Sequence, residues 1–310
     1  MKRSIAAVAT LTAICSLPLS AAEINLNEHY SLEEVHRLEI SQKELSPITI
    51  GINIVPVSTS IATYPGNDLL VSIEGSSFLG TTKAPIIQSE VHSGILSLDI
   101  GYRSPFKAGL RVGNIKIEIL IPESYSGSLQ LQEMKSPTEI GTIRLDNFSA
   151  FMRNSRLTIR ELHARRIKLV SKGRAKTDCR RVHAEQWQVK CGSGAFIAEE
   201  ISGRMELESF DGKTDVAFSR FEGRCSLRSG GGNITVRLPG NSNLEMNLVS
   251  KTKTARCEFD LIGENSRQNP GQKVGFVGTA SNNYLEAQSQ FGKISVLSTP
   301  RRTAPANAHE

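Results

Sequence analysis

His163–Ser171 (HARRIKLVS), His183–Cys191 (HAEQWQVKC), Ile201–Ser209 (ISGRMELES) and Phe221–Ser229 (FEGRCSLRS) align without gaps, their last residues 20, 18 and 20 positions apart. Two residues before each end stand Leu169, Val189, Leu207 and Leu227; four before stand Ile167, Trp187, Met205 and Cys225. Between those columns lie Lys168, Gln188, Glu206 and Ser226, all polar. Successive side chains of a strand point to opposite faces, so this is strand alternation held in register over the copies. Gly173, Gly194, Gly212 and Gly232 follow, where a tight corner needs positive φ or close backbone approach. Beyond them a second short strand presents Phe196, Ala198 and Glu200, then Thr214, Val216 and Phe218, then Ile234, Val236 and Leu238. The first copy offers the weaker set Ala175, Thr177 and Cys179. A unit of roughly 20 residues cannot bury its own apolar side and must stack on its neighbours. The expectation is an all-β protein of β-solenoid-like or layered β-repeat architecture.

The flanks agree. Glu34–Ile40, Ile48–Val55, Leu69–Glu74, Ile95–Ile100 and Asn114–Ile121 alternate as strands, the last with Ile115, Ile117, Ile119 and Ile121 on one face before Pro122. After Pro239-Gly240 come two more β segments, Leu244–Val249 and Tyr284–Leu297, and the Asn-, Gln- and Gly-rich stretch between them, 263–278, reads as a long loop. The expected organisation is a signal segment over 1–22, an N-terminal β segment over 23–125 that is separate from the repeats or continuous with them, a β-repeat domain over 126–298, and a disordered Pro/Ala-rich tail over 299–310.

The repeats SGRMELES and EGRCSLRS, the run SGGGNITVRLP and the closing FGKISVLS resemble a bacterial β-repeat family whose members carry adhesin or toastrack labels. The resemblance implies the fold and an envelope or surface location, and it brings no catalytic residue. This chain departs from the pattern at His163-Ala164 and His183-Ala184, where Ser-Gly is usual, and at Cys191, where its own other copies have Ser.

The N-terminus carries Lys2 and Arg3, an uncharged and mostly apolar run from Ile5 to Leu17, a breaker at Pro18 and small residues at Ser20-Ala21-Ala22. That is a secretory signal with the mature chain starting at Glu23, and the run is short for a bilayer span. Ile14 before Cys15 argues against lipid attachment at that cysteine. No later stretch is apolar enough to span a membrane. With Lys2 and Arg3 removed, the formal charge falls from +6 to +4. Four cysteines remain in an oxidising compartment, and a bridge between Cys179 and Cys191 is the expected disulfide among three possible full connectivities.

Arg153 to Lys190 hold twelve Lys/Arg against three Asp/Glu. Arg165, Arg166, Lys168, Lys172, Arg174, Lys176, Arg180 and Arg181 are therefore the candidate surface for an anionic ligand: an envelope glycan, lipid head groups or an acidic envelope protein. The alternative is an ordinary solvated face. Nucleic acid is excluded by export and by the lack of stacking aromatics nearby. His163 and His183 occupy equivalent positions, either as a two-ligand metal pair or as members of a core column that continues in Ile201 and Phe221. The second reading is preferred, so no metal and no cofactor are expected. Gly212-Lys213-Thr214 is no phosphate loop, because Leu207 stands where that motif needs glycine. No G-x-S-x-G elbow exists, and the carboxylates are scattered. The reading is an exported, non-enzymatic binding or structural module. The alternatives are a partner or sensor in an envelope stress pathway and, below that, a polysaccharide-active enzyme.

Overall fold

The computed structural model describes residues 34–39, 46–52, 57–77, 86–101, 113–263, 270–279 and 281–299; the expected signal segment over 1–22 and the expected tail beyond 299 lie outside them. Among the described residues there are strands and no helix. In chain order these are β1 (Glu34–Glu39), β2 (Ile48–Ile52), β3 (Val57–Tyr64), β4 (Asp68–Ser77), β5 (Ile86–His92), β6 (Ile95–Gly101) and β7 (Gly113–Pro122). The middle of the chain forms β8 (Ser128–Met134), β9 (Thr138–Arg153), β10 (Arg156–Lys172), β11 (Lys176–Arg180), β12 (Val182–Cys191), β13 (Phe196–Ser209) and β14 (Thr214–Phe218). The last third forms β15 (Arg224–Ser229), β16 (Ile234–Pro239), β17 (Leu244–Ser250), β18 (Ala255–Cys257), β19 (Gln272–Val277), β20 (Tyr284–Ser289) and β21 (Ile294–Thr299).

Pairing runs in two series. The first face is β5-β6-β2-β8-β9-β10-β12-β13-β15-β20-β17-β19. The second is β1-β4-β7-β3-β9-β10-β11-β13-β14-β16-β21-β18. β9, β10 and β13 belong to both, because each starts on the second face, bends, and finishes on the first. A rung is thus two arms joined by a bend on one edge and a glycine corner on the other. Parallel strands stack between rungs, and antiparallel pairing is confined to the ends, where β5 covers β6, β1 and β4 cover β7, and β19 covers β17. The pairings β2–β8 and β3–β9 carry the stack across position 126.

The core lies between the arms as one cluster. Leu169 pairs with Val189, Val189 with Leu207, and Leu207 with Leu227, a contiguous buried row. A second row is Thr177–Phe196–Thr214–Ile234–Ile294, and a third is Cys179–Ala198–Val216–Val236–Val296. Cys179 therefore stands one row away from the Phe218 and Leu238 column that its sequence position suggests, because the first corner, Ser171 to Thr177, is one residue longer than the later ones. Glu200, expected to point inward, turns out to solvent at φ 54° where β13 bends.

At the corners, close approach decides. A Cβ on Gly212 would overlap the carbonyl oxygen of Gly194, and Gly232 and Gly292 repeat the contact on the rungs beyond. Three of the serines close these corners: Ser209 donates to the Gly212 carbonyl of its own corner (3.2 Å), while Ser289 reaches that of Gly232 (3.2 Å) and Ser250 that of Gly292 (2.9 Å) on the adjacent rung.

Two expectations are corrected. The stretch read as a long loop contains β19, paired antiparallel with β17 from Leu244↔Val277 to Val249↔Gln272. Its register comes from β17, and Gly275 occupies a buried position that an apolar residue would otherwise mark. The histidines are not in the core column. β12 carries one residue more than β13 between His183 and Gln186, so the inner row is Leu162–Val182–Ile201 and His183 pairs with Ser202 on the outside.

Replacing Gly212 by Ala should lower unfolding free energy by about 2 kcal/mol or more, since backbone must move. Gly141→Ala, whose Cβ would meet ordinary contacts at 3.6 Å, should shift it by less than about 1 kcal/mol. Urea unfolding of both variants checks this, and equal midpoints would contradict the stacked corner.

Candidate binding surface

The eight basic residues do not form one strip. Arg166, Lys168 and Lys172 share the outer row of β10, where alternation puts them in solvent, with Lys172 5.2 Å from the Phe151 ring and beside Arg153 of β9. Arg174 lies past the corner, its backbone N–H donating to Asn154 Oδ1 (3.0 Å). Lys176 and Arg180 are on the second face, and Arg180 lies 3.9 Å from Asp178. Arg165 and Arg181 sit at the bend, paired to Asp146 (2.8 Å) and Glu161 (3.6 Å). The chain reads linearly, but each rung turns twice, so neighbours in sequence are dealt to different faces. Nor does the charge repeat unbroken along the stack: Arg166 lies between Asn147 and Gln186, and Lys168 between Ser149 and Gln188.

What the fold does assemble is a groove of about 1080 Å³ along the bend, crossing successive rungs. Its walls carry Arg144, His163, His183, Ser202 and Arg204. Ala164, Ala184, Gly203 and Gly223 form its floor, and their small size makes the depression. Sharing Gln186 and Arg204, it adjoins a smaller trough of about 600 Å³ on the first face, lined by Arg166, Lys168 and Arg224. Arg166, Arg204 and Arg224 each precede the inner-row residue of their copy (Ile167, Met205, Cys225), so this arginine column was visible in the repeat alignment. Arg144 had no such signal.

His163 and His183 lie ring to ring, centroids 5.0 Å apart and tilted by 37°. His163 Nε2 is 3.5 Å from Glu161 Oε1, and His183 Nδ1 is 3.0 Å from Ser202 Oγ. Partial burial, with the neighbouring imidazole adding to it, holds His183 below the usual histidine range against the opposing pull of Glu161 and Glu200. Protonation therefore lags at neutral pH, and an anion in the groove would favour it. Among the described residues, no group of three or more His, Cys, Asp or Glu side chains converges to hold a metal ion.

A family model described as Toastrack DUF4097 matches residues 25–296. The chain belongs to this family. The Toastrack repeat is what the sequence columns encode, and the structure builds it as a two-armed rung. Among solved structures the chain is similar to a "putative cell adhesion protein" of Clostridium sporogenes, at 12% identity over 87% of this chain and 100% of that one, with TM-score 0.27. It is also similar to a "putative adhesin" of Bacteroides fragilis, at 12% identity over 86% and 97% of the two chains, with TM-score 0.40. Neither likeness is close enough to carry a functional inference. No curated protein matches.

In this Toastrack chain Cys179 and Cys191 are free thiols, so the expected bridge is not formed. They belong to different arms: Cys179 packs in the row of Ile159 and Ala198, while Cys191 ends β12 between Ser171 and Ser209. Burial raises both thiol pKa values, that of Cys179 the more, and pushes Cys225 up to about 12. Iodoacetamide at about pH 8 should therefore modify partly exposed Cys191 in the native protein and spare Cys179 and Cys225 until denaturant is added. Mass spectrometry reads the sites. A Cys191 that labels only after reduction would restore the bridge.

Proposed function

We propose that this chain is an exported, non-enzymatic module of the cell envelope that binds an anionic glycan along the bend groove and its adjoining trough. One observation carries the reading: Arg144, Arg166, Lys168 and Arg204 line one continuous depression, and none of them has a carboxylate partner among the described residues. The groove and trough together are lined by six Arg and Lys against four Asp and Glu side chains, and a net positive charge in a concave surface raises the local concentration of an opposite charge. A depression that runs across rungs fits a linear polymer, and Ser202, Gln186 and Gln188 add hydrogen-bonding groups for hydroxyls. A bilayer surface could not enter it. Export rests on the N-terminal segment, which predicts Glu23 as the mature N-terminus. No helix among the described residues is long and apolar enough to cross a membrane.

The Ser202–His183 contact favours a second reading, a hydrolase acting on the same polymer. It predicts release of reducing ends or acyl groups that stops in Ser202→Ala, whereas the binding module retains its ligand unchanged in that variant.

The mature protein should be retained on immobilised polygalacturonate at low salt and released as salt rises. Replacing Arg166, Lys168 and Arg204 together by Ser should weaken retention about tenfold, the sum expected of a few exposed ion contacts. Retention should strengthen as pH falls below about 6.5, as His183 takes up a proton against the bound anion, and His183→Gln should flatten that rise. Retention indifferent to salt and to the triple substitution would overturn the proposal. Capture of an envelope protein by the polymer-indifferent variant would favour the sensor alternative.

A further inference from the structure

The glycine corners form a second edge whose chemistry differs from that of the bend. Their backbones are stacked into a ladder: Gly192 N–H donates to Ser171 O (2.9 Å), Phe210 N–H to Cys191 O (3.0 Å), and Gly231 N–H to Phe210 O (2.8 Å). The ladder continues from Phe291 N–H to Gly230 O (2.9 Å) and from Lys251 N–H to Ser289 O (3.0 Å). From the β10–β11 corner to the β17–β18 corner this edge spans five rung spacings, about 24 Å. Its outward charged side chains are basic except for Asp211, although Lys213 is paired to Asp215 (2.9 Å). Lys172 and Arg174 occupy the first corner, Lys213 the third, Lys293 the fifth, and Lys251 with Lys253 the last, all exposed. Asp211 is the only acid on these corners, whereas the bend edge mixes Glu161, Glu199, Glu200 and Glu222 with its arginines.

Two phenylalanines stand out of the same edge. Phe210 is 68% exposed and Phe291 53%. They lie two rungs apart, about 10 Å, and the corner between them is Gly230-Gly231, which puts no side chain between the rings. Folding gains nothing from either ring there, and a soluble surface has no use for two bare rings on a ridge of lysines. Apolar rings flanked by cations on a narrow convex edge match the boundary of an anionic bilayer, where rings enter the acyl region and ammonium groups stay among the head groups.

We infer that the protein docks edge-on to an anionic lipid surface through this corner ridge, with Phe210 and Phe291 inserted and the surrounding lysines on the phosphates. The docking uses neither the bend groove nor the outer row Arg166–Lys168, so it goes beyond the glycan reading and survives or fails separately from it. Insertion of two rings, without a helix and on a rigid ladder, would hold the flat stack upright on the membrane.

The test is co-sedimentation of the purified full-length mature protein with vesicles of phosphatidylglycerol and phosphatidylcholine, against vesicles of phosphatidylcholine alone. The wild type should bind the anionic vesicles and release with salt. Phe210→Ser with Phe291→Ser should lower partitioning about tenfold, as should Lys251→Ser, Lys253→Ser and Lys293→Ser together. Arg166→Ser with Lys168→Ser should leave vesicle binding unchanged while weakening retention on polygalacturonate. The Phe210→Trp variant, against the constant signal of buried Trp187, should shift its emission to the blue on anionic vesicles only. A wild type that stays in the supernatant, a Phe-to-Ser pair that sediments like the wild type, or an unshifted emission from the Phe210→Trp variant would each overturn the inference.

Discussion

Each rung must present to the next a backbone that repeats at the strand spacing, about 4.8 Å. The rest of the molecule obeys that demand. Where the path is straight, repetition is easily met, and like residues fall into rows such as Leu169–Val189–Leu207–Leu227. Where the path turns, the carbonyl of one rung occupies the space that a side chain of the next would need. Gly212 on Gly194 is the clearest instance, and Ser209, Ser250 and Ser289 then satisfy carbonyls that the turns leave over. The interior is thereby nearly fixed, and chemical variety is pushed onto the outer rows, the bend and the corner ridge.

Much of this was legible in the sequence because the inner rows repeat with a fixed count. The count fails where rungs differ in length. One extra residue in β12 moved His183 out of line with Ile201, which a gapless alignment cannot detect. A longer first corner displaced Cys179 by a row. β19 was invisible because an antiparallel end strand takes its register from β17, and its own Gly and Gln carry no alternation. The basic run stands out in composition, but its division among two faces, a bend and a corner depends on turns that composition does not mark. The arginine column before Ile167, Met205 and Cys225 was there to be read, and belongs to the trough more than its sequence neighbours do.

The bend and the glycine corner are the two edges of one flat coil. A ligand in the bend groove and a surface against the corner ridge therefore address opposite sides and do not compete. Small floor residues serve one edge and absent side chains the other, so both depend on residues chosen for what they leave empty. That dependence explains why Ala164, Ala184, Gly203 and Gly223 line the groove although none of them contributes a functional group.

The order of rungs in space is not their order in the chain. β20 lies between β15 and β17, and β21 between β16 and β18, so Arg224 is matched to Tyr284 and Ile234 to Ile294, each 60 residues on. At the other end β2 is likewise set between β6 and β8. A stack with this topology cannot zip up from its N-terminus as the polypeptide emerges. Its apolar rows stay open on one side until the last segment threads home, which raises contact order and slows closure.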